Sequence, residues 1–245
     1  MKKVEYARMA EYEASYWWHL GRLRIIETKI KQFVGNKKKL AILNVGCGTG
    51  GTIKMLEQFG VVDNVDVSDE AIAFMKKNGF KRIKKVSGIE LPYKDKSYDL
   101  VAAFDVLEHI DNDEAALSEW NRVLKEDGVV IVTVPAYQWL WSDHDISLHH
   151  FRRYTTRLLK ARAHVAGLRA QRLSYAIVFS LPLVVGFRFI NKHLGRKANS
   201  ETSYVALPGV VNKLFANFLY IEAWIHKYIS FLFGTSVIAT LRKNK

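Results

Sequence analysis

Residues Leu40–Gly51, LAILNVGCGTGG, decide the fold. The apolar run reads as a buried strand, and a glycine-rich turn opens the helix that follows. Gly46, Gly48 and Gly50 remove side chains where backbone must approach a ligand, and glycine tolerates φ > 0. Turns of this kind hold nucleotide-like molecules at a strand-to-helix junction. Outward from it, strands are predicted at Val61–Val67, Arg82–Val86, Leu100–Phe104, Val129–Val134, Leu168–Phe179 and Ser236–Leu241. Between them fall helices at Thr52–Phe59, after the cap Ser68-Asp69-Glu70, at Asp111–Leu124 and at Thr155–Gly167, with a turn at Glu126-Asp127-Gly128. An N-terminal helix is predicted over Val4–Phe33, broken near Gly21. Strands alternating with helices predict a parallel sheet with βαβ crossovers.

The 245 residues allow one α/β domain with elaborations. The single cysteine, Cys47, excludes an internal disulfide and a cysteine-based zinc cluster, and fits a reducing cytoplasm. In MKKVEYARMAEYEASYWWH, acidic and aromatic residues stand where a signal peptide would be apolar, so none is expected. The net charge of +13 is uneven: residues 151–245 hold 16 basic and 2 acidic residues, a balance of +14. That segment is also aromatic and aliphatic. Basic and apolar together point to an anionic membrane surface rather than to nucleic acid, and no appended nucleic-acid motif is visible.

The glycine turn forms a pair with an acid after the second strand, where a carboxylate accepts hydrogen bonds from ribose hydroxyls. Asp66 lies 16 residues beyond Gly50; Asp63 and Asp69 are rivals. The turn reads G-C-G-T-G, not the dinucleotide G-x-G-x-x-G, and no Walker lysine follows it.

LNVGCGTG, NVDVS, ELPYKDKSYDLVAAFDVLEHI and EWNRVLKEDGVVIVTVP, taken in order, resemble the class I S-adenosylmethionine-dependent methyltransferases, closest to the subgroup of the ubiquinone and menaquinone methyltransferases. The resemblance covers about residues 40–135. It implies a Rossmann-like seven-stranded mixed sheet, the last strand antiparallel, with helices on both faces. It implies S-adenosyl-L-methionine as cofactor. Gly46, Cys47, Gly48 and Gly50 would form the loop around it, and Asp66 would hold its ribose. Ser87, Gly88 and Ile89 would lie near the adenine, with Phe104 and Asp105 at the methionine end. Where such proteins often carry Asp two residues before the first glycine, this chain has Asn44, whose amide would serve a weakened ammonium site.

A hydroxyl acceptor needs a base. The loop after the fifth strand offers His144, His149 and His150 as catalytic candidates. Asp145, Arg152, Arg153 and Tyr154, with Trp18 of the N-terminal helix, are candidates for acceptor binding; the alternative is that the arginines anchor the loop and Tyr154 packs. Glu108 and His109 are secondary candidates. The histidine spacing is not diagnostic of a metal, and none is expected.

Leu173–Phe187 is uncharged for 15 residues, short of the roughly 20 a spanning helix needs, and Pro182 interrupts it. From Pro208 a helix is predicted through to about Gly234, with Val211, Leu214, Phe218, Ile221, Ile225, Tyr228, Ile229 and Leu232 on one side. This side is expected to meet a membrane interface, or else to pack over the sheet or a second copy. The organisation is thus an N-terminal helical extension (1–35), a Rossmann-like domain (36–180 and 235–245) and an apolar, basic insert (181–234). The expected activity is methyl transfer to a hydrophobic or lipid-linked acceptor by a cytoplasmic protein at the membrane's inner face. The alternatives are a soluble small-molecule or glycan acceptor with the insert as lid or dimer surface, or a non-catalytic cofactor-binding scaffold. Oligomeric state is left open.

Overall fold

A computed structural model describes residues 3–35, 37, 39–193 and 207–244, with side chains assigned outside 3–6 and 187–193. The seven strands are β1 (Leu40–Val45), β2 (Gly60–Asp66), β3 (Ile83–Lys85), β4 (Tyr98–Phe104), β5 (Leu124–Pro135), β6 (Leu168–Ala176) and β7 (Ser236–Lys243). They form one sheet in the order β3-β2-β1-β4-β5-β7-β6. β7 runs antiparallel to both β5 and β6, and the other pairs are parallel. Strand order reverses between β1 and β4, and in such sheets ligands bind at the carboxyl ends beside that reversal. β5 starts earlier than expected: Leu124 pairs with Tyr98, and pairing resumes at Leu100–Val129. The expected turn at 126–128 is therefore an irregularity within the strand.

The helices are α1 (Lys3–Ser15), α2 (Trp17–Val34), α3 (Ile53–Glu57), α4 (Asp69–Lys77), α5 (Asp113–Val123), α6 (Asp143–Ser147), α7 (Thr156–Val165), α8 (Ser180–His193) and α9 (Gly209–Ile225). Ser68 and Thr155 cap α4 and α7 as predicted, and Asn112, inside the stretch predicted as helix, caps α5; each accepts from the backbone N–H three residues on. One face of the sheet packs Leu117, Trp120, Val123 and Leu159 from α5 and α7. The other packs Ile25, Ile26 and Ile30 of α2 with Leu219 and Ala223 of α9.

Two expectations change. The N-terminal helix breaks at Tyr16, not near Gly21. Gly21 lies inside α2 at its crossing with α9, where a Cβ would overlap the Leu219 side chain. α9 ends at Ile225 instead of running to Gly234, and Phe231 then bridges to Tyr175 of β6. The face of α9 turned to the protein carries Ala216, Leu219, Glu222 and Ala223. Small residues there let the two helix axes approach closely. The larger apolar residues Leu214, Phe218, Ile221 and Trp224 are turned outward and exposed, continued by Tyr228 beyond the helix end. Residues 194–206 of the insert lie outside the described residues. Among the described residues, no helix is long and apolar enough to cross a membrane.

Candidate active site

The glycine turn stands where the sequence placed it. Gly46, Gly48 and Gly50 have φ of 67°, 53° and 90°, a region that side chains other than glycine's enter at a cost. Nothing lies within 4 Å of where a Gly48 Cβ would be, so the loop presents open backbone at its crest. Asp66 ends β2 and accepts from the Gly48 N–H (2.8 Å) and the Ser68 N–H (3.0 Å). Its carboxylate thus couples the turn to the strand end and keeps lone pairs free for a diol. Val67, directly after Asp66, and Ile89, in the segment after β3, are exposed apolar side chains at 63% and 38%. Val67 was not singled out from sequence; its signal is an apolar residue directly after the strand-ending acid.

Some expected contacts are redirected. Asn44 is buried and its amide donates to Asn64 (3.0 Å) and Thr52 (3.4 Å), so it braces the turn from beneath rather than facing a ligand. Cys47 packs against Ile53 and Met75, where burial pushes its thiol up to about 12. Phe104 belongs to the core under α2. Gly88 is buried, and its carbonyl accepts from Trp120 Nε1 (2.9 Å); Ser87 accepts from the Ile89 N–H (3.3 Å).

Asp105 follows β4 with φ of 56°, accepts from Thr133 Oγ1 (3.2 Å), and pairs with Arg22 of α2. Arg22 stacks over Trp18, one turn earlier on the same helix face, at 4.9 Å. The i, i+4 spacing was a signal for Arg22 that the sequence reading did not use.

The loop after β5 is held by its own charges. Asp145 is fully buried and accepts from Arg153 Nε (2.6 Å) and Nη2 (3.0 Å), from His150 Nδ1 (2.9 Å) and from the Ser142 N–H (2.9 Å). Burial alone would raise this carboxyl; the hydrogen bonds from His150 and Arg153 outweigh it and hold the group well below the usual carboxylate range. Arg152 pairs with Asp113 (2.9 Å), and the buried Tyr154 hydroxyl donates to the same carboxylate (2.9 Å). Asp145, Arg152, Arg153 and Tyr154 thus anchor the loop within the protein, the alternative the sequence left open for them.

His150 is what the anchors deliver. Its ring packs edge-on against His109 at 4.6 Å between centroids. Partial desolvation, reinforced by His150, pushes His109 down to about 4. Glu108 is 1% exposed, its Oε2 has no partner among the described residues, and burial together with Asp105 raises its carboxyl well above the ordinary range. Glu108, His109 and His150 bring three ligand-capable atoms within 4.8 Å of one another. His144 and His149 are on the same loop, but neither belongs to that group.

A glycine turn, a carboxylate at the end of β2 and the Glu108–His109–His150 cluster together form a candidate site for a nucleotide-like ligand. Residues 43–132 match the family described as methyltransferase domain. Over those residues the chain is similar to S-adenosylmethionine-dependent methyltransferase domains, a likeness that implies S-adenosylmethionine as the cofactor. It is 32% identical over 145 residues to an uncharacterised protein of Methanocaldococcus jannaschii (58% of this chain, 56% of that one). It is 32% identical over 117 residues to a ubiquinone biosynthesis O-methyltransferase of Rickettsia bellii (46% and 49%). To the sterol 24-C-methyltransferase erg-4 of Neurospora crassa it is 31% identical over 120 residues (45% and 31%). The chain spans about half the length of the first two relatives and about a third of the sterol enzyme. In fold it is similar to the cyclase SpnF, with a TM-score of 0.60 at 18% identity over 94% of this chain and 86% of that one.

The residues present fit the cofactor. Asp66 would hold the ribose hydroxyls, Val67 and Ile89 would flank the base, and the open backbone at Gly48 leaves room between them. Replacing Asp66 by alanine is expected to weaken cofactor binding about a hundredfold, because two hydrogen bonds to a charged group are lost. Titration calorimetry measures it; an unchanged affinity would show that Asp66 serves only the turn.

Proposed function

We propose that the protein transfers a methyl group from S-adenosylmethionine to a hydroxyl of a hydrophobic, lipid-like acceptor at an anionic membrane surface. The observation that carries the acceptor class is the outer face of α9. Leu214, Phe218, Ile221 and Trp224 form one exposed apolar stripe on a helix whose inner face is packed, and Lys213 and Lys227 flank it. A stripe of this width on a helix rigidly joined to the domain is suited to lie in a headgroup layer. The basic excess of residues 151–245 acts in the same direction. The names of the ubiquinone and sterol relatives also denote hydrophobic products.

S-adenosylmethionine supplies an already activated methyl group. The chain must align the acceptor and take its proton. His150, oriented by Asp145, and His109 in front of it are the groups for that proton. Trp139, 62% exposed and stacked on Tyr137 at 5.4 Å, offers a flat apolar surface on the same loop. It favours a ring-bearing acceptor, and it also supports a second reading in which the acceptor is a glycan.

Labelled cofactor incubated with a total lipid extract is expected to give a labelled, solvent-extractable product. The protein is expected to co-sediment with anionic vesicles at low salt, and the double substitution Phe218→Ser, Ile221→Ser to abolish that association. Transfer only to water-soluble glycans would favour the second reading. Binding without any transfer would leave a scaffold. Vesicle association that survives the double substitution would remove α9 as the contact.

A further inference from the structure

The end of the glycine turn already holds a carboxylate. Glu13, near the end of α1, accepts from the Thr49 hydroxyl and from the Gly51 N–H. A Cβ on Gly51 would run into that carboxylate, so the glycine is what lets Glu13 reach the loop backbone. Glu13 and Gly51 line a small cavity together with His19, Arg22, Leu23 and Thr52. The Arg22 guanidinium is 12% exposed, pairs through Nη1 with Asp105, and leaves its Nε buried without a partner among the described residues. Two carboxylates and one guanidinium thus meet at the turn that receives the cofactor.

The amino-acid end of that cofactor carries one carboxylate and one ammonium. We infer that Glu13 is an internal stand-in for the ligand's carboxylate, held on Thr49 and Gly51, and that α1 must release it before the amino-acid end can be seated. This rests on the cofactor reading given above. Two carboxylates cannot share one set of donors without strong repulsion, so one displaces the other. Burial raises the Glu13 carboxyl above its ordinary range, so the internal contact carries a desolvation cost that release recovers.

The geometry also provides the hinge. α1 and α2 meet at Tyr16, and Asn212 of α9 bridges the break: its Oδ1 accepts from the Trp17 N–H (2.9 Å) and its Nδ2 donates to the Ser15 carbonyl (2.8 Å). α2 is packed along α9, with Gly21 against Leu219. The pivot is therefore anchored to the body while α1 carries the displaceable group. Arg22, on the anchored side, stays at the site and can turn from Asp105 to the incoming carboxylate.

Calorimetric titration of the full chain with S-adenosylhomocysteine and with 5′-methylthioadenosine, which lacks the amino-acid end, tests the inference. Glu13→Ala and Glu13→Gln are expected to bind S-adenosylhomocysteine about tenfold more tightly than the parent, since a charge-assisted contact no longer competes. Their affinity for 5′-methylthioadenosine is expected to be unchanged. Hydrogen exchange in residues 7–15 of the parent is expected to speed up when S-adenosylhomocysteine is added. Equal or weaker binding by both variants, or slower exchange in α1 on ligand addition, would overturn the inference and make Glu13 a ligand-holding residue. A gain that extends equally to 5′-methylthioadenosine would also overturn it. Absence of binding by parent and variants alike would remove the cofactor reading itself, and this inference with it.

Discussion

Replacement of His150 by alanine is expected to lower methyl transfer about 10²–10⁴-fold while leaving cofactor affinity where it was. The reason is positional. His150 Nδ1 is bound to Asp145, which leaves the other ring nitrogen on the side of His109 and Glu108. The residues that fit the cofactor, Asp66 and the glycine turn, are on β2 and after β1, and Asp66 bonds to the turn and to Ser68. Rate and binding should therefore separate. The split is read by measuring kcat for a responsive acceptor beside a calorimetric Kd. A variant that loses both would make His150 a structural residue of the loop, and one that keeps full kcat would remove it from the proton path.

Asp145→Ala is expected to act on stability first. Removing one partner of a buried ion pair costs about 3–5 kcal/mol, because Arg153 and His150 keep their buried polar atoms with nothing to receive them. Urea unfolding should show the loss as a lower midpoint. The parent should share part of this dependence through pH. The Asp145 carboxyl lies below its unfolded value when folded, so the stability it contributes is present above the unfolded pKa and is lost as pH falls toward the folded one. The variant should lack that acid-side slope. A destabilisation below about 1 kcal/mol would mean that the loop holds its shape by packing alone.

The sheet was legible in the sequence because its signals are local: apolar runs of strand length, a glycine turn, and caps such as Ser68 and Thr155. The geometry of the turn was legible too, since the positive φ of its glycines and the Asp66 contact to the Gly48 N–H are local features that the motif itself encodes. The loop after β5 was not legible in the same way. Arg152 reaches Asp113 on α5 and Arg153 reaches Asp145, and a basic pair in a string reads identically whether it binds an anion from outside or one of the chain's own. α9 shows a different limit. Periodicity finds the two sides of a helix but not which one is packed. Here close approach to α2 required the side with Ala216 and Ala223, which left the bulkier residues outside. Arg22 and Glu13 escaped notice because their partners, Asp105 and Thr49, are far away in the chain.

The Asn212 bridge also sets an order of events during synthesis. Asn212 is 195 residues from Trp17 and 197 from Ser15. At about 5–20 residues per second, a ribosome makes α1 and α2 roughly 10–40 s before the side chain that joins them exists. Over that interval the glycine turn, β2 and β4 are already available, whereas the groove around Gly21 has no Leu219 to fill it. The contact that ties α1 and α2 to the body is therefore completed late in synthesis. The apolar side of α2 is then the surface that a chaperone would find exposed.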